Sequence, residues 1–363
     1  MRYHNVTRGC IRITLLAGAA LWLAASPSRA GDQAPPGGDP AARLSPKPEA
    51  SELWNLTAHF EGGYRLFTWF FITNEGPGER SAAALWYLVH PDGRVAEFRN
   101  GRQQGRWRLS QDRRRIDIAS SSLDLRGPLW RLAIDSTSQQ VRIDLHFPAG
   151  ERPPWSAAVP PSTSTLRTDT LQIAAPVEGT IWEHGMRVPL GVRGTAALTH
   201  AWMDESLPRI VQRRIEFFAD EPELALYVSD IRTPSGDGRR WLALQRDGAK
   251  GYQSSDFAMT LGPADRVTAD RKYPVPGRLL VRNGRITLDI RPQRLLARTN
   301  PLQALPQPLR LLYSFKLDPQ WVWVDASFHL QLAPEAASTN PPLTFDGRGI
   351  VAVSFVNPLR PGE

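Results

Sequence analysis

The chain has 363 residues, a formal net charge of +8 and one cysteine, Cys10. Its arginine clusters, Arg113-Arg114-Arg115, Arg213-Arg214 and Arg239-Arg240, are short and separated. They exclude the continuous basic stripe of a nucleic-acid groove. Cys10 lies inside an N-terminal targeting pattern, so thiolate catalysis, disulfides and Cys-ligated metals are excluded beyond it.

That pattern occupies residues 1–30. Arg2, Arg8 and Arg12 precede the uncharged run Ile13 to Ala25, and Ser28-Arg29-Ala30 supplies small residues around a cleavage point. The order is that of a secretory signal, and thirteen apolar residues are too few for an ordinary span. A retained anchor is the competing reading. Removing residues 1–30 takes away four arginines and lowers the net charge to +4. No later segment is long and apolar enough to cross a bilayer as a helix. The composition and the signal predict a periplasmic or cell-envelope protein without a nucleic-acid partner.

Residues 31–50 are rich in proline and glycine and are expected to be a disordered tether. From Trp54 onward the dominant period is two. In Tyr64 to Asn74, Phe67, Trp69 and Phe71 share one face and Leu66, Phe70 and Ile72 the other. Val141, Ile143, Leu145 and Phe147 alternate with Arg142, Asp144 and His146, and Ile286, Leu288 and Ile290 with Thr287 and Asp289. This is the pattern of half-buried strands. Pro91-Asp92-Gly93, Asn100-Gly101, Asp247-Gly248, Asn283-Gly284 and Asp346-Gly347 supply turn chemistry between strands. No amphipathic helix of three turns is evident, and 32 prolines limit helix length. The fold class is all-β with antiparallel hairpins. Long strands that are aromatic on both faces favour barrels with a ligand-lined lumen over a sandwich. The predicted units are 51–206 and 207–363, with Pro148 to Ser164 as the competing boundary.

Chemistry concentrates at Gly194 to Pro208, where His200, Trp202 and Asp204 share one strand face and Glu205 points away. An imidazole beside a carboxylate moves protons near neutral pH, so His200 and Asp204 are the candidate catalytic pair and Trp202 a ligand-contacting wall. Trp69, Phe71, Trp321, Trp323 and His329 are the other candidate ligand-binding residues, on mixed aromatic and polar faces suited to an amphipathic molecule. Trp182, Glu183 and His184 form a weaker set. The seven histidines show no metal-ligand spacing, so neither a metal nor a cofactor is expected.

Gly194-x-Ala-x-x-x-His200-x-Trp202, with the aromatic pair of segments Trp69 to Asn74 and Leu85-Trp86-Tyr87, resembles the family of hydroxyneurosporene synthase (carotenoid 1,2-hydratase), AttH-like and survival-factor-like proteins. Gly347-x-Gly349 sits where that family has a late Gly-x-Gly. The sequence departs from the signature at Ala197, Thr199 and Met203, and Val353 stands where a late glutamate is expected. The resemblance implies two lipocalin-like barrels in tandem. It also implies either binding of a lipid or isoprenoid or a cofactor-independent hydratase, cyclase or isomerase acting on one; losing the acid at Thr199 weakens the catalytic carry-over. A structural or adaptor protein with filled barrels is the third expectation.

Overall fold

A computed structural model describes residues 39–74, 80–102, 105–149, 166–219, 221, 224–246, 252–264, 270, 272–304, 310–311, 314–315, 317–334 and 342–358. The expected signal segment, the start of the expected tether, the expected Asp247-Gly248 turn and most of Pro148 to Ser164 lie outside the described residues.

Two antiparallel sheets carry the fold. The first contains β1 (Ser51–Phe60), β2 (Arg65–Thr73), β3 (Ser81–Val89), β4 (Val95–Arg102), β5 (Trp107–Leu109), β6 (Arg115–Ile118), β7 (Ser121–Asp124), β8 (Leu129–Ser136), β9 (Val141–Pro148), β10 (Arg167–Glu183) and β11 (Leu190–Met203). The second contains β12 (Arg213–Ala219), β13 (Leu224–Arg232), β14 (Gly238–Arg246), β15 (Tyr252–Ser254), β16 (Ala258–Leu261), β17 (Leu279–Arg282), β18 (Ile286–Thr299), β19 (Gln320–Leu332) and β20 (Leu343–Phe355). Each sheet is a meander whose first and last strands pair, β1 with β11 and β12 with β20. That pairing curls each sheet into a lipocalin-like barrel around its own core. The single turn of helix α1 (Leu207–Ile210) stands between the sheets in sequence.

The period-two pattern does what the alternation predicts. Val141, Ile143, Leu145 and Phe147 point into the first core, and Ile286, Leu288 and Ile290 into the second. At the β3–β4 turn Asp92 accepts from the Arg94 amide at 2.9 Å, and Gly93 has φ 88°. Asn283 accepts from the Arg285 and Ile286 amides at the β17–β18 turn. Two expected turns are strand instead. Asn100 and Gly101 pair with Ala84 and Ala83 inside β4, and Asp346 and Gly347 pair with His329 and Phe328 inside β20. At Gly347 a side chain would press into Glu221 and the Phe328 ring, so close approach rather than turning explains that glycine. Register shifts in β10 on either side of Gln172, with Ala174 at φ 52°, bend that long strand around its barrel.

The aromatic residues on the second face of β2 have their cause in the neighbouring sheet. Phe67, Trp69 and Tyr87 pack against Trp323, Ile350 and Ala352 in one buried cluster. Trp69 and Trp323 have ring centroids 4.6 Å apart, and Phe67 stacks on Trp323 at 5.1 Å. A second contact joins Ile173 and Ala197 to Phe218, Tyr227 and Trp241. Beside it, Glu216 accepts from Tyr227 Oη at 2.7 Å and from Arg214 at 2.6 Å. Burial first, then the Glu216 charge, push the Tyr227 phenol well above its ordinary pKa.

Candidate functional site

β1 places Glu52, Trp54, Leu56, Ala58 and Phe60 on alternate positions, and all but Glu52 belong to the first core. Glu52 is therefore a carboxylate on an apolar inward face, and it is buried. In register with Trp54 lies His200 of β11, fully buried. Its Nε2 is 2.7 Å from Glu52 Oε1. The imidazole stacks on Trp54 with centroids 4.4 Å apart and meets Trp202 at 5.1 Å. On the other side of His200, β10 presents the buried Asp169 at the paired position.

Residues 39–50 close this end of the barrel as a strap. The Arg43 and Leu44 amides donate to the two Glu52 oxygens at 2.7 and 3.1 Å. Trp54 Nε1 donates to the Pro40 carbonyl, and the Ala42 amide to the Arg113 carbonyl. Asn74 donates to the Ser45 and Lys47 carbonyls, both at 2.8 Å. Ala42 is buried in the first core, and the Arg43 guanidinium lies 5.0 Å over the Trp202 ring. Where composition predicts a disordered tether, the stretch from Asp39 is thus laid against the barrel. Its polar backbone finds partners that composition does not reveal. Beneath the strap a cavity of about 20 Å³ touches Glu52, Ile72 and Trp202, room for a single water.

The candidate residues from sequence divide. His200 and Trp202 come together as expected. Asp204 lies past the end of β11 and pairs outside the barrel with Lys47 at 3.0 Å. Burial works to raise its pKa, but Ser45, Lys47 and Arg167 outweigh it and hold the carboxyl below the usual range. Asp204 is therefore an ion-paired carboxylate and a poor proton donor. The expected lumenal position of the other aromatics is corrected as well. Trp69 and Trp323 are buried at the seam between the sheets with Trp321 packed against them. Phe71 shares the outward face of β2 with Trp69. They point away from both cores because the apolar partners of β2 and β19 line the barrels: Leu66, Phe70 and Ile72 in the first, Val322, Val324 and Phe328 in the second. His329 is half-exposed on the outward face of β19, with Nδ1 2.7 Å from Asp346. Glu183 meets the buried His90 at 3.0 Å, and Trp182 Nε1 donates to the Met186 carbonyl.

Sequence reasoning missed Glu52, Asp169 and Arg43. Glu52 had a signal, since a lone acid interrupts the even-numbered apolar face of β1. Asp169 had none, because the β10 bulges break the alternation that would have assigned its face.

Four polar atoms on the first barrel's inward face find no partner among the described residues: His200 Nδ1, Thr68 Oγ1, Trp86 Nε1 and Ser121 Oγ, the last in register with the core residue Ile118. Thr68 and Trp86 pair across β2 and β3. A groove of about 670 Å³ at the far end is lined by Glu61, His146, Glu178 and Arg193, but it is open to solvent on the outward face.

No protein-family model matches the sequence, and no curated protein does. Solved structures do share the fold. A protein from Nitrosomonas europaea provisionally named AttH superposes with a TM-score of 0.63 at 14% identity, over 85% of this chain and 93% of its own. Kievitone hydratase from Nectria haematococca gives 0.56 at 10% identity, over 85% and 89%. CghA with Sch210972 gives 0.58 at 14% identity, over 88% and 95%. At such identities the likeness establishes the tandem-barrel fold.

Proposed function

We propose that the first barrel binds a small amphipathic molecule of the lipid or isoprenoid class, its polar group held at the Glu52–His200 end. The observation that carries this reading is that Thr68 Oγ1, Trp86 Nε1 and His200 Nδ1, three of the four unpartnered inward polar atoms, lie in a largely apolar and aromatic interior. An unpaired buried polar group costs about 1–3 kcal/mol, so a ligand hydroxyl or carbonyl there offsets a penalty that side chains leave standing. Entry is by displacement of the strap, which is held largely by hydrogen bonds. The signal-like residues 1–30 support export to the periplasm or cell envelope. Native mass spectrometry of the purified protein tests the reading. A co-purifying small molecule is expected, with occupancy at least tenfold lower in His200→Leu. A chain that is always empty, including after incubation with farnesol or palmitate, contradicts it.

A second reading is a cofactor-independent hydratase or isomerase. It is favoured by the buried 2.7 Å Glu52–His200 contact beside a cavity of one-water size, and by the hydratase among the structures that share the fold. Glu52–His200 then holds and delivers the proton, with Glu52 in the place that the sequence pattern offers to Asp204 beside His200. Incubating isoprenoid alkenes in H₂¹⁸O tests this. Incorporation of ¹⁸O that Glu52→Gln abolishes in a folded protein supports hydration, and incorporation that survives the substitution contradicts it.

A further inference from the structure

The second barrel carries its own inward-facing charges, at the end where β12 begins. Arg213 alternates with the core residues Ile215 and Phe217, Asp230 and Arg232 with Leu226 and Val228, and Arg240 with Leu242 and Leu244. All four side chains therefore share the face of the second core. The register sets them side by side, with Arg213 paired to Arg232 across β12 and β13, and Asp230 to Arg240 across β13 and β14.

Three guanidiniums thus surround one carboxylate. Asp230 Oδ1 accepts from Arg240 Nε at 2.9 Å, and Arg240 also donates to the Phe257 carbonyl. The other carboxylate oxygen, Oδ2, lies 4.0 Å from Arg213 Nη2 and 3.8 Å from Arg232 Nε. Those separations are too long for hydrogen bonds. Asp230 Oδ2, Arg213 Nε and Arg232 Nε are all buried and find no partner among the described residues. Exposure is graded, with the Asp230 side chain at 1%, Arg213 at 11%, Arg240 at 28% and Arg232 at 38%. The cluster is therefore a floor and a rim reachable from solvent.

We infer that this cluster is an anion site that takes an oxyanion, a phosphate or carboxylate group, between Arg213 and Arg232. One aspartate neutralises one of the three arginines and leaves two positive charges partly out of water. Guanidinium forks match oxyanions in geometry and form charge-assisted hydrogen bonds with them. Burial, and then the like charge of Arg232, already depress the Arg213 pKa against the pull of Asp230. An anion seated there relieves both effects. The inference is independent of the first-barrel reading.

Calorimetric titration of the full chain with inorganic phosphate, octyl phosphate and octanoate, at constant ionic strength, is the test. Saturable one-to-one binding of at least one of them is expected, weakened at least tenfold by Arg232→Gln and unchanged by Arg131→Gln on the first barrel. Tighter binding of inorganic phosphate marks a free ion, whereas tighter binding of either octyl compound marks the head group of an amphipath. Arg232 is the most exposed of the four, so its variant is expected to fold; Arg232→Lys serves as a second variant with intermediate affinity. No saturable binding of any of the three, or binding that Arg232→Gln leaves intact, overturns the inference.

Discussion

His200 Nε2 and Glu52 Oε1, 148 residues apart in sequence, meet 2.7 Å from each other inside the first barrel. The same Glu52 carboxylate accepts from the Arg43 and Leu44 amides. One side chain thus ties the last strand of the barrel to the strap that covers it. Removing one partner of a buried pair strands the other, at a cost of about 3–5 kcal/mol. Glu52→Ala is expected to lose that much in urea unfolding. Glu52→Gln, which keeps an acceptor, loses less. In both variants hydrogen exchange at the Arg43 and Leu44 amides should accelerate more than exchange at Ile143 on β9.

The seam between the sheets rests on Trp69 and Trp323. Truncating a buried tryptophan costs about 3–5 kcal/mol, so Trp323→Ala should lower stability by that amount. An aromatic pair adds about 0.5–1.5 kcal/mol beyond area. A double-mutant cycle of Trp69→Ala and Trp323→Ala should therefore show a coupling of that size. Zero coupling would mean that each ring packs independently.

Gly194 and Gly191 lie three residues apart on β11 and make a controlled comparison. A side chain at Gly194 would collide with the His59 carbonyl and the Phe60 backbone of β1, whereas at Gly191 it meets nothing within 4 Å. Gly194→Ala is expected to destabilise by about 1–3 kcal/mol through forced strand separation. Gly191→Ala should stay within about 0.5 kcal/mol of the parent. Paired thermal melts give the answer.

Acid sensitivity has a definite sign at Asp289. Burial raises its pKa, but the fork from Arg278 at 2.7 and 3.0 Å and the bond from Arg291 outweigh burial, and the carboxyl sits below its ordinary 3.8. A depressed folded-state pKa contributes stability that is full above 3.8 and is lost as pH falls through the folded value. Both arginines are exposed, so the contribution stays below about 1 kcal/mol. Asp289→Asn should cost that at pH 7 and less at pH 2, as the carboxyl protonates below 3.8. Equal losses at both pH values would assign the effect to packing.

Much of the fold is legible in the sequence, because alternation at positions such as Val141 to Phe147 states which face is buried. What alternation does not state is which buried face belongs to a barrel interior and which to a contact with a second sheet. Phe67 and Trp69 look like lumen residues in sequence for that reason. Gly347 shows a related ambiguity, since a glycine beside an aspartate signals a turn unless a ring needs its space. At the site, His200 and Trp202 were visible as a local pair. Their acidic partner was not, since Glu52 reaches His200 only through the pairing of the first and last strands. Asp204 is the nearest same-face acid in sequence, but the chain turns past the end of β11 and directs it onto Lys47.

The Glu52–His200 end of the first barrel is proposed to receive the polar group of an amphipathic ligand. The most direct measurement is the side-chain nitrogen spectrum of ¹⁵N-histidine-labelled protein titrated with farnesol and with palmitate. The His200 ring resonances are expected to shift saturably with at least one of them, His329 on the outer face is expected not to respond, and Glu52→Gln should weaken the response at least tenfold. His200 resonances that stay fixed at saturating concentrations of both would contradict it.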